Sequence, residues 1–485
     1  MKRSATAPTR NAVAGTLGVS LADMLILPTG LITTVYLTRR LGPESYGLYT
    51  LAATMIAWTS WTVSSLFSRT TVKFVAEADD WRPVGAALMR LCVLTSIGIM
   101  LVLLVVAGPL ATLLHEPRLA GYLRLFSLEV PLFVLAQGHR NILVGIGALR
   151  ERALISAGRW ISRLLLIVLL VQMGMSVTGA IVGSVAASAV ELLIARRYVR
   201  PSLWGPVSSL LRSPWAYGLP LLLAAVSLRL LDILDLVLLK MLGGSAAQAG
   251  IYGAAQSLSL VPRLFALSFS PILLSTLTRL ARSGDAEAMR KLGRDAMRLV
   301  LGFLPFTALA AGTAQEIIRF IFGEPFLPAA PVLALLIFGS VPLLMVSVAS
   351  AILIAADRPG DTLVIAGPLV PLTIVGCVLL IPAWGPLGAA LAIVLSASAG
   401  ALASIVAVKR VADIYPSIST LARSALLSGL AFIAAVAWPT SGLLLLVKLP
   451  AISLMIGAGY WALREFSAAE ITLLRTIAAA RSSAA

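Results

Sequence analysis

Long apolar runs separated by short, mostly basic links set the pattern of this chain. Fourteen such runs can be traced, at about 12–37, 46–68, 84–113, 120–146, 153–172, 177–195, 214–240, 250–277, 296–322, 329–356, 362–382, 386–408, 420–439 and 443–463. Each is long enough for a helix to cross the roughly 30 Å hydrocarbon core of a bilayer. The longest link, about 278–295, has the spacing of an amphipathic helix and reads as a connector rather than a domain.

The runs repeat. LTRRLGPESYGLYTLA at 37–52 is matched by LLKMLGGSAAQAGIYGAA at 238–255: a span end, Leu-Gly, a polar link, then Tyr-Gly opening the next span. The turn starting at Gly145 resembles the one starting at Ile354, and Val177-Thr-Gly-Ala parallels Pro386-Leu-Gly-Ala. Pro131 in the fourth run corresponds to Pro342 in the tenth. A common offset of roughly 200–210 residues marks a parallel duplication of six helices. The expected architecture is therefore all-α and polytopic: about 14 transmembrane helices, arranged as two like-oriented six-helix bundles around a central cavity plus two extra C-terminal helices. The boundaries are a tail at 1–11, the first bundle at 12–200, a linker at 201–213, the second bundle at 214–410, helices 13 and 14 at 411–463 and a tail at 464–485.

Charge orients this array. Of the 38 Lys and Arg residues, most fall on alternate links, from Lys2 and Arg3 through Arg69, Lys73, Arg150, Arg152, Arg196 and Arg197 to the group Arg279–Arg298 and Lys409, Arg410, Arg464 and Arg475. The opposite side has little beyond Arg39, Arg40, Arg118, Arg124, Lys240, Arg319 and Lys448. Basic links collect on the cytoplasmic side, so both termini are expected in the cytoplasm, which requires an even number of spans. The net charge of +17 then reflects topology, and nucleic acid is not an expected partner. With 59% hydrophobic and 12% charged residues, the chain has too little polar surface for a soluble globule. Cys92 and Cys377 both lie in apolar runs, which offers neither a disulfide framework nor a metal cluster. No G-x-x-x-x-G-K-[ST] loop occurs, and two histidines with no large link give hydrolytic chemistry little support. The first run keeps Asp23 and Pro28 and lacks a small-x-small cleavage site, so it reads as an uncleaved first helix.

Function is expected among the polar groups kept at membrane depth, because a charge there costs about 2.5–3.5 kcal/mol on insertion scales and faces a cavity or a partner. The seventh run carries Arg229, Asp232 and Asp235 on one face; the eighth carries Gln256, Ser259, Arg263 and Ser270. The fifth holds Arg159 and Arg163 one turn apart, the first has Asp23, and the fourth has Glu129 in its outer half and His139-Arg140 further in. Local pairing, Arg229 with Asp232 and Arg163 with Glu129, is the structural alternative. Arginine stays ionised and offers a planar fork that suits phosphate, so several of them around a wet cavity point to an anion such as a phosphate or diphosphate. Thr54, Trp58, Trp61, Ser65 and Ser68 form a stripe on the second run, which reads first as helix packing and second as a sugar-stacking face.

The stretch from Tyr36 to Ala52 (YLTRRLGPESYGLYTLA), followed by Ser68 to Glu77 (SRTTVKFVAE), resembles the N-terminal signature of polysaccharide-biosynthesis flippases. These are the Wzx-type members of the multidrug/oligosaccharidyl-lipid/polysaccharide exporter superfamily. Leu231 to Gly243 (LDILDLVLLKMLG) with Gly250 to Ala255 (GIYGAA) is similar to the family's opening of its second half, and the resemblance covers about 12–410. The link 243–249 is more degenerate than its counterpart in the first half. The resemblance implies translocation of undecaprenyl-diphosphate-linked oligosaccharide across the bacterial inner membrane by alternating access, without an enzymatic step or cofactor and with H⁺ or Na⁺ counter-flow. Under it, Arg163, Arg229 and Arg263, with Gln256 and Arg140, form the substrate-binding set. Asp235, then Asp23 and Asp232, are the ion-coupling candidates. The partners implied are the lipid-linked oligosaccharide, membrane lipids, and a glycan polymerase with its export machinery. A lipid II flippase and a drug exporter of the same superfamily are the alternatives, the latter disfavoured by the arginines. From another class, an integral glycan polymerase or acyltransferase would want a large outer loop.

Overall fold

The computed structural model describes residues 22–201, 230 and 233–465, and for 261–268, 271, 359, 363 and 366 the backbone only. Arg229 and Asp232 lie outside the described residues, as does the side chain of Arg263. Every regular element among the described residues is a helix. Eight are long and apolar enough to cross a membrane by length and composition, and Leu369–Trp384 is a shorter apolar one.

The first and second runs are two helices that meet end to end within Ile26–Glu77, separated at Gly42, where φ is 71° and ψ 175°. A side chain is strained at that φ, and Pro43 follows with no N–H to give. The third run is Trp81–Leu113. The fourth is split into Arg118–Phe126 and Glu129–Gly145. Pro131 lacks the N–H that would bond the Ser127 carbonyl four residues earlier, and the ladder breaks there. The fifth and sixth, Leu149–Leu170 and Ser176–Tyr198, are joined by a wide π turn over Val171–Met175.

Ala246–Arg282 carries the eighth run. The ninth is divided into Ala286–Gly302, Leu304–Gly312 and Ala314–Ile321, with Pro305 in the first turn of the middle piece. The connector at 278–295 is helical, as its periodicity predicts, but belongs to its neighbours. One helix runs through Arg282, Gly284 turns at φ +74°, and Asp285 caps the next helix by accepting from the Ala288 N–H at 2.9 Å. Ala329–Ala355, Pro359–Ala366 with Leu369–Trp384, Pro386–Ala412, Ile418–Ala437 and Leu445–Ala462 carry the remaining runs.

The repeat is visible in the turns. The helix ends at Gly145 and Ala355 are followed by the same reversal, with Gly147 at φ +79° and Asp357 at φ +59°. In the first, the Ala148 N–H bonds the Leu143 carbonyl at 2.8 Å; in the second, the Arg358 N–H bonds Leu353 at 2.9 Å.

The chain divides into two compact units. One takes the chain up to Ala254 together with Ile381–Pro386; the other takes Ala255–Leu380 and the chain from Leu387 on. Within the first, Val75, Met89, Ile142, Leu143, Ile155, Ala195 and Val199 form a buried cluster where five spans meet. Within the second, the two C-terminal helices are fastened at both ends. Lys448 is fully buried and donates to both Glu316 oxygens at 2.8 Å, while Glu316 also accepts from the Thr440 N–H and hydroxyl. At the other end Glu465 takes Arg423 at 2.6 Å and the Thr420 hydroxyl at 2.5 Å. Lys448, read from the sequence as an outer link charge, is thus an interior cation with a dedicated partner.

Candidate functional site

Three spans of the first unit bring their polar residues together. Glu129 and Arg140 come from the fourth span, Ser156, Arg159 and Arg163 from the fifth, and Ser188 and Glu191 from the sixth. Arg159 is central. Its Nη1 donates to Glu191 Oε2 at 2.9 Å and its Nη2 to Glu129 Oε1 at 3.2 Å, with its guanidinium carbon 4.3 Å from the Phe133 ring centre. Glu191 also faces Arg140 Nε at 3.2 Å. Arg140 Nη1 donates to the Ser156 hydroxyl at 3.2 Å and Nη2 to Gln137 Oε1; the Ser188 hydroxyl donates to Glu129 at 3.0 Å. All four charged groups are buried, Glu191 completely.

Two cations and two anions balance, so this network is neutral and bolts three helices to one another. A charged group this far from water persists only with such partners.

Arg163 is different. It lies one turn beyond Arg159 on the same face and donates from Nη2 to the Tyr49 hydroxyl at 3.3 Å. No carboxylate of the described residues comes within ion-pair reach of it, and its Nε is buried without a hydrogen-bond partner. Next to a neutral tetrad, Arg163 contributes the excess positive charge of the cluster. The expected alternative pairing of Arg163 with Glu129 is corrected here: Glu129 belongs to Arg159.

The other sequence candidates are distributed as follows. Arg140 is held within the network and buried, with Glu191 as its counter-ion. Asp23, expected about halfway along the first span, pairs at 3.3 Å with Arg152 in the first turn of the fifth-span helix, and is half exposed. Asp235 is 1% exposed; it accepts from the Tyr252 hydroxyl at 2.6 Å and from the Leu236 N–H at 2.8 Å. Gln256 sits half-buried on the eighth-span helix, in the other unit from Arg163. Of the Trp stripe of the second span, Trp61 lies edge-on to Phe133 at 5.2 Å, and Trp58 Nε1 is buried without a hydrogen-bond partner. His139, expected near the interface, is buried and bonds the Leu135 carbonyl at 2.7 Å through Nδ1.

Glu191, Tyr49, Gln137, Ser156 and Ser188 were not singled out from the sequence. Glu191 is the one acid in the Ala/Ser-rich sixth run, which is signal enough. Tyr49 has no such mark, because a tyrosine in an apolar helix is ordinary.

A groove of about 470 Å³ runs along the first span, lined by Leu31, Ile32, Val35, Tyr36, Arg39 and Arg40. Its lining is almost entirely apolar, and Arg39 and Arg40 lie at the C-terminal end of the lining segment.

The family described as Polysaccharide biosynthesis protein matches residues 12–274, more than half of the chain. No curated protein sequence matches. Among solved structures, the lipid II flippase MurJ in an inward closed conformation is similar with a TM-score of 0.77 at 16% identity, over 93% of this chain and 99% of that one. An inward-facing multidrug resistance MATE family transporter of the MOP superfamily gives 0.62 at 14% identity, over 86% and 99%. A MOP superfamily transporter from Pyrococcus furiosus gives 0.53 at 14%, over 82% and 95%. At these identities the likeness establishes the fold: a multi-pass helical membrane architecture shared with flippases and transporters.

Proposed function

Because this chain belongs to the polysaccharide biosynthesis protein family, we propose that it carries a lipid-linked oligosaccharide, attached through undecaprenyl diphosphate, from the inner to the outer leaflet of a bacterial inner membrane. It does so by alternating access. The observation that carries this reading is Arg163: a fifth-span cation with no carboxylate partner among the described residues, beside a network that is already neutral. A cation without a counter-ion at membrane depth is costly, and a diphosphate passing through supplies the missing anion. The guanidinium offers it parallel donors that an ammonium does not. The groove, with Arg39 and Arg40 at the C-terminal end of its lining segment, fits the same amphiphile, an apolar chain ending in phosphate.

Arg229 and Arg263 are proposed to join Arg163 from the second half, with Gln256 as a neutral contact. Arg140, tied to Glu191, serves by holding the network. Asp235, buried beside Tyr252, is the proposed exchanger of H⁺ or Na⁺ as its surroundings change; Asp23, paired with Arg152, and Asp232 follow it. A glycan polymerase and its export machinery are the protein partners that would receive the flipped unit.

The test is glycan display at the cell surface. Arg163→Ala abolishes display with protein level unchanged, and Arg163→Lys restores part of it. Normal display in Arg163→Ala cells, at equal protein, refutes the assignment. Complementation of cells lacking their peptidoglycan-precursor flippase assigns lipid II as the cargo instead.

A further inference from the structure

The two repeat-related links pack directly on each other within the first unit, and they do so backbone to backbone. A Cβ on Gly47 would fall 1.8 Å from the Ala246 carbonyl oxygen; one on Gly250 would fall 2.0 Å from the Pro43 carbonyl oxygen. A Cβ on Gly253, the repeat counterpart of Gly47, would meet Thr50 Cγ2 at 2.6 Å. At the first two positions the obstacle is main chain, which no rotamer change can move.

Each link is also fastened to its own half. The Tyr46 hydroxyl is held by the side chains of Thr50 and Thr34, and the Tyr252 hydroxyl donates to Asp235. Thr34 and Asp235 occupy the same place in the repeat, seven residues before Leu41-Gly42 and Leu242-Gly243. These tethers keep each link with its own span when the two links part.

Among the described residues, an ion pair joins the two halves at this end. Lys240, 4% exposed, donates to Glu116 Oε2 at 3.2 Å, joining the end of the seventh span to the link after the third.

From this arrangement we propose that the Gly47–Gly250 crossing and the Lys240–Glu116 ion pair form a releasable latch, at the end of the molecule that carries links 41–46 and 243–249, and that the latch opens in each transport cycle. This rests on the transport reading above. The crossing is a contact without interlocked side chains, so it separates and re-forms without repacking. The ion pair sets the cost of separation, because parting it leaves a buried ammonium without its anion.

The test places a cysteine at Thr50, beside Gly253, in full-length protein with Cys92→Ala and Cys377→Ala, and measures its labelling in intact cells by a membrane-impermeant maleimide. Lys240→Met and Gly250→Ala are each expected to raise the labelling rate by about tenfold, as a shift of the closed population. Lys240→Glu raises the rate as well, and the exchanged pair, Lys240→Glu with Glu116→Lys, returns it towards that of the parent, so the rise reports the lost ion pair rather than misfolding. Unchanged labelling in both single variants overturns the latch, whatever happens to glycan display. Labelling that responds, in cells where glycan display is unaffected by any Arg163 variant, keeps the latch and refutes the assignment of Arg163 to the substrate.

Discussion

Glu191 on the sixth span and Arg163 on the fifth belong to the same cluster, yet their removal should have opposite signatures. Glu191 is wholly buried, accepts a hydrogen bond from Arg159 at 2.9 Å and forms an ion pair with Arg140 Nε at 3.2 Å. Glu191→Gln keeps the size of the side chain and removes the charge. The tetrad then passes from neutral to +1: Arg159 keeps Glu129, Arg140 loses the carboxylate it faces, and Arg163 raises the local excess to +2. Breaking one partner out of a buried ion pair costs about 3–5 kcal/mol, and a glutamine oxygen that still accepts one bond offsets about 1 kcal/mol of it. A net loss of about 2–4 kcal/mol is therefore expected. Arg163→Ala removes one hydrogen bond to Tyr49 and no ion pair, a loss of about 1 kcal/mol. Thermal aggregation of detergent-solubilised protein, followed by fluorescence-detected size exclusion, separates the two. Glu191→Gln aggregates well below the parent and is depleted in membranes; Arg163→Ala keeps the parental profile while glycan display is lost. Equal stability of the two variants would refute the division into a structural tetrad and a substrate-facing cation.

Two further outcomes follow from the same reasoning. Asp235→Asn retains an acceptor for the Tyr252 hydroxyl but loses the charge, so protein level holds while transport in inverted vesicles loses its dependence on an imposed H⁺ or Na⁺ gradient; unchanged gradient dependence makes Asp235 structural. Lys448→Ala leaves Glu316 with its two Thr440 bonds and no cation, and is expected to lower the aggregation midpoint through loosening of the two C-terminal helices, whereas Lys448→Met with Glu316→Gln costs less than the single change; equal losses would show that the pair does not act as a unit.

Hydropathy made the helices legible because a bilayer imposes one demand, about twenty apolar residues per crossing, on every span. It could not show where helices break. The split before Glu129 and the unbroken Ala329–Ala355 contain repeat-equivalent prolines, Pro131 and Pro342, with different outcomes. Whether a proline interrupts a helix depends on what else satisfies the freed carbonyl.

The charged residues were legible as a set but not as pairs. Helical spacing placed Arg159 and Arg163 on one face, and nothing in that spacing says which of them meets Glu129, because the answer lies in the rotation of the fourth and sixth spans. Glu191 decides it: by taking one arm of Arg159 it fixes that guanidinium between two carboxylates, and Arg163 is left to a tyrosine. The same logic reads the links. Arg118 with Glu44, Lys240 with Glu116 and Lys448 with Glu316 give three cations of the sparsely basic side a glutamate each. Arg279, Arg282, Arg290, Lys291 and Arg294 on the densely basic side are exposed. Arg152 and Arg423 on that side are paired as well, with Asp23 and Glu465, and the exposed group between the eighth and ninth spans adds to the bias in Lys and Arg from which the orientation is expected.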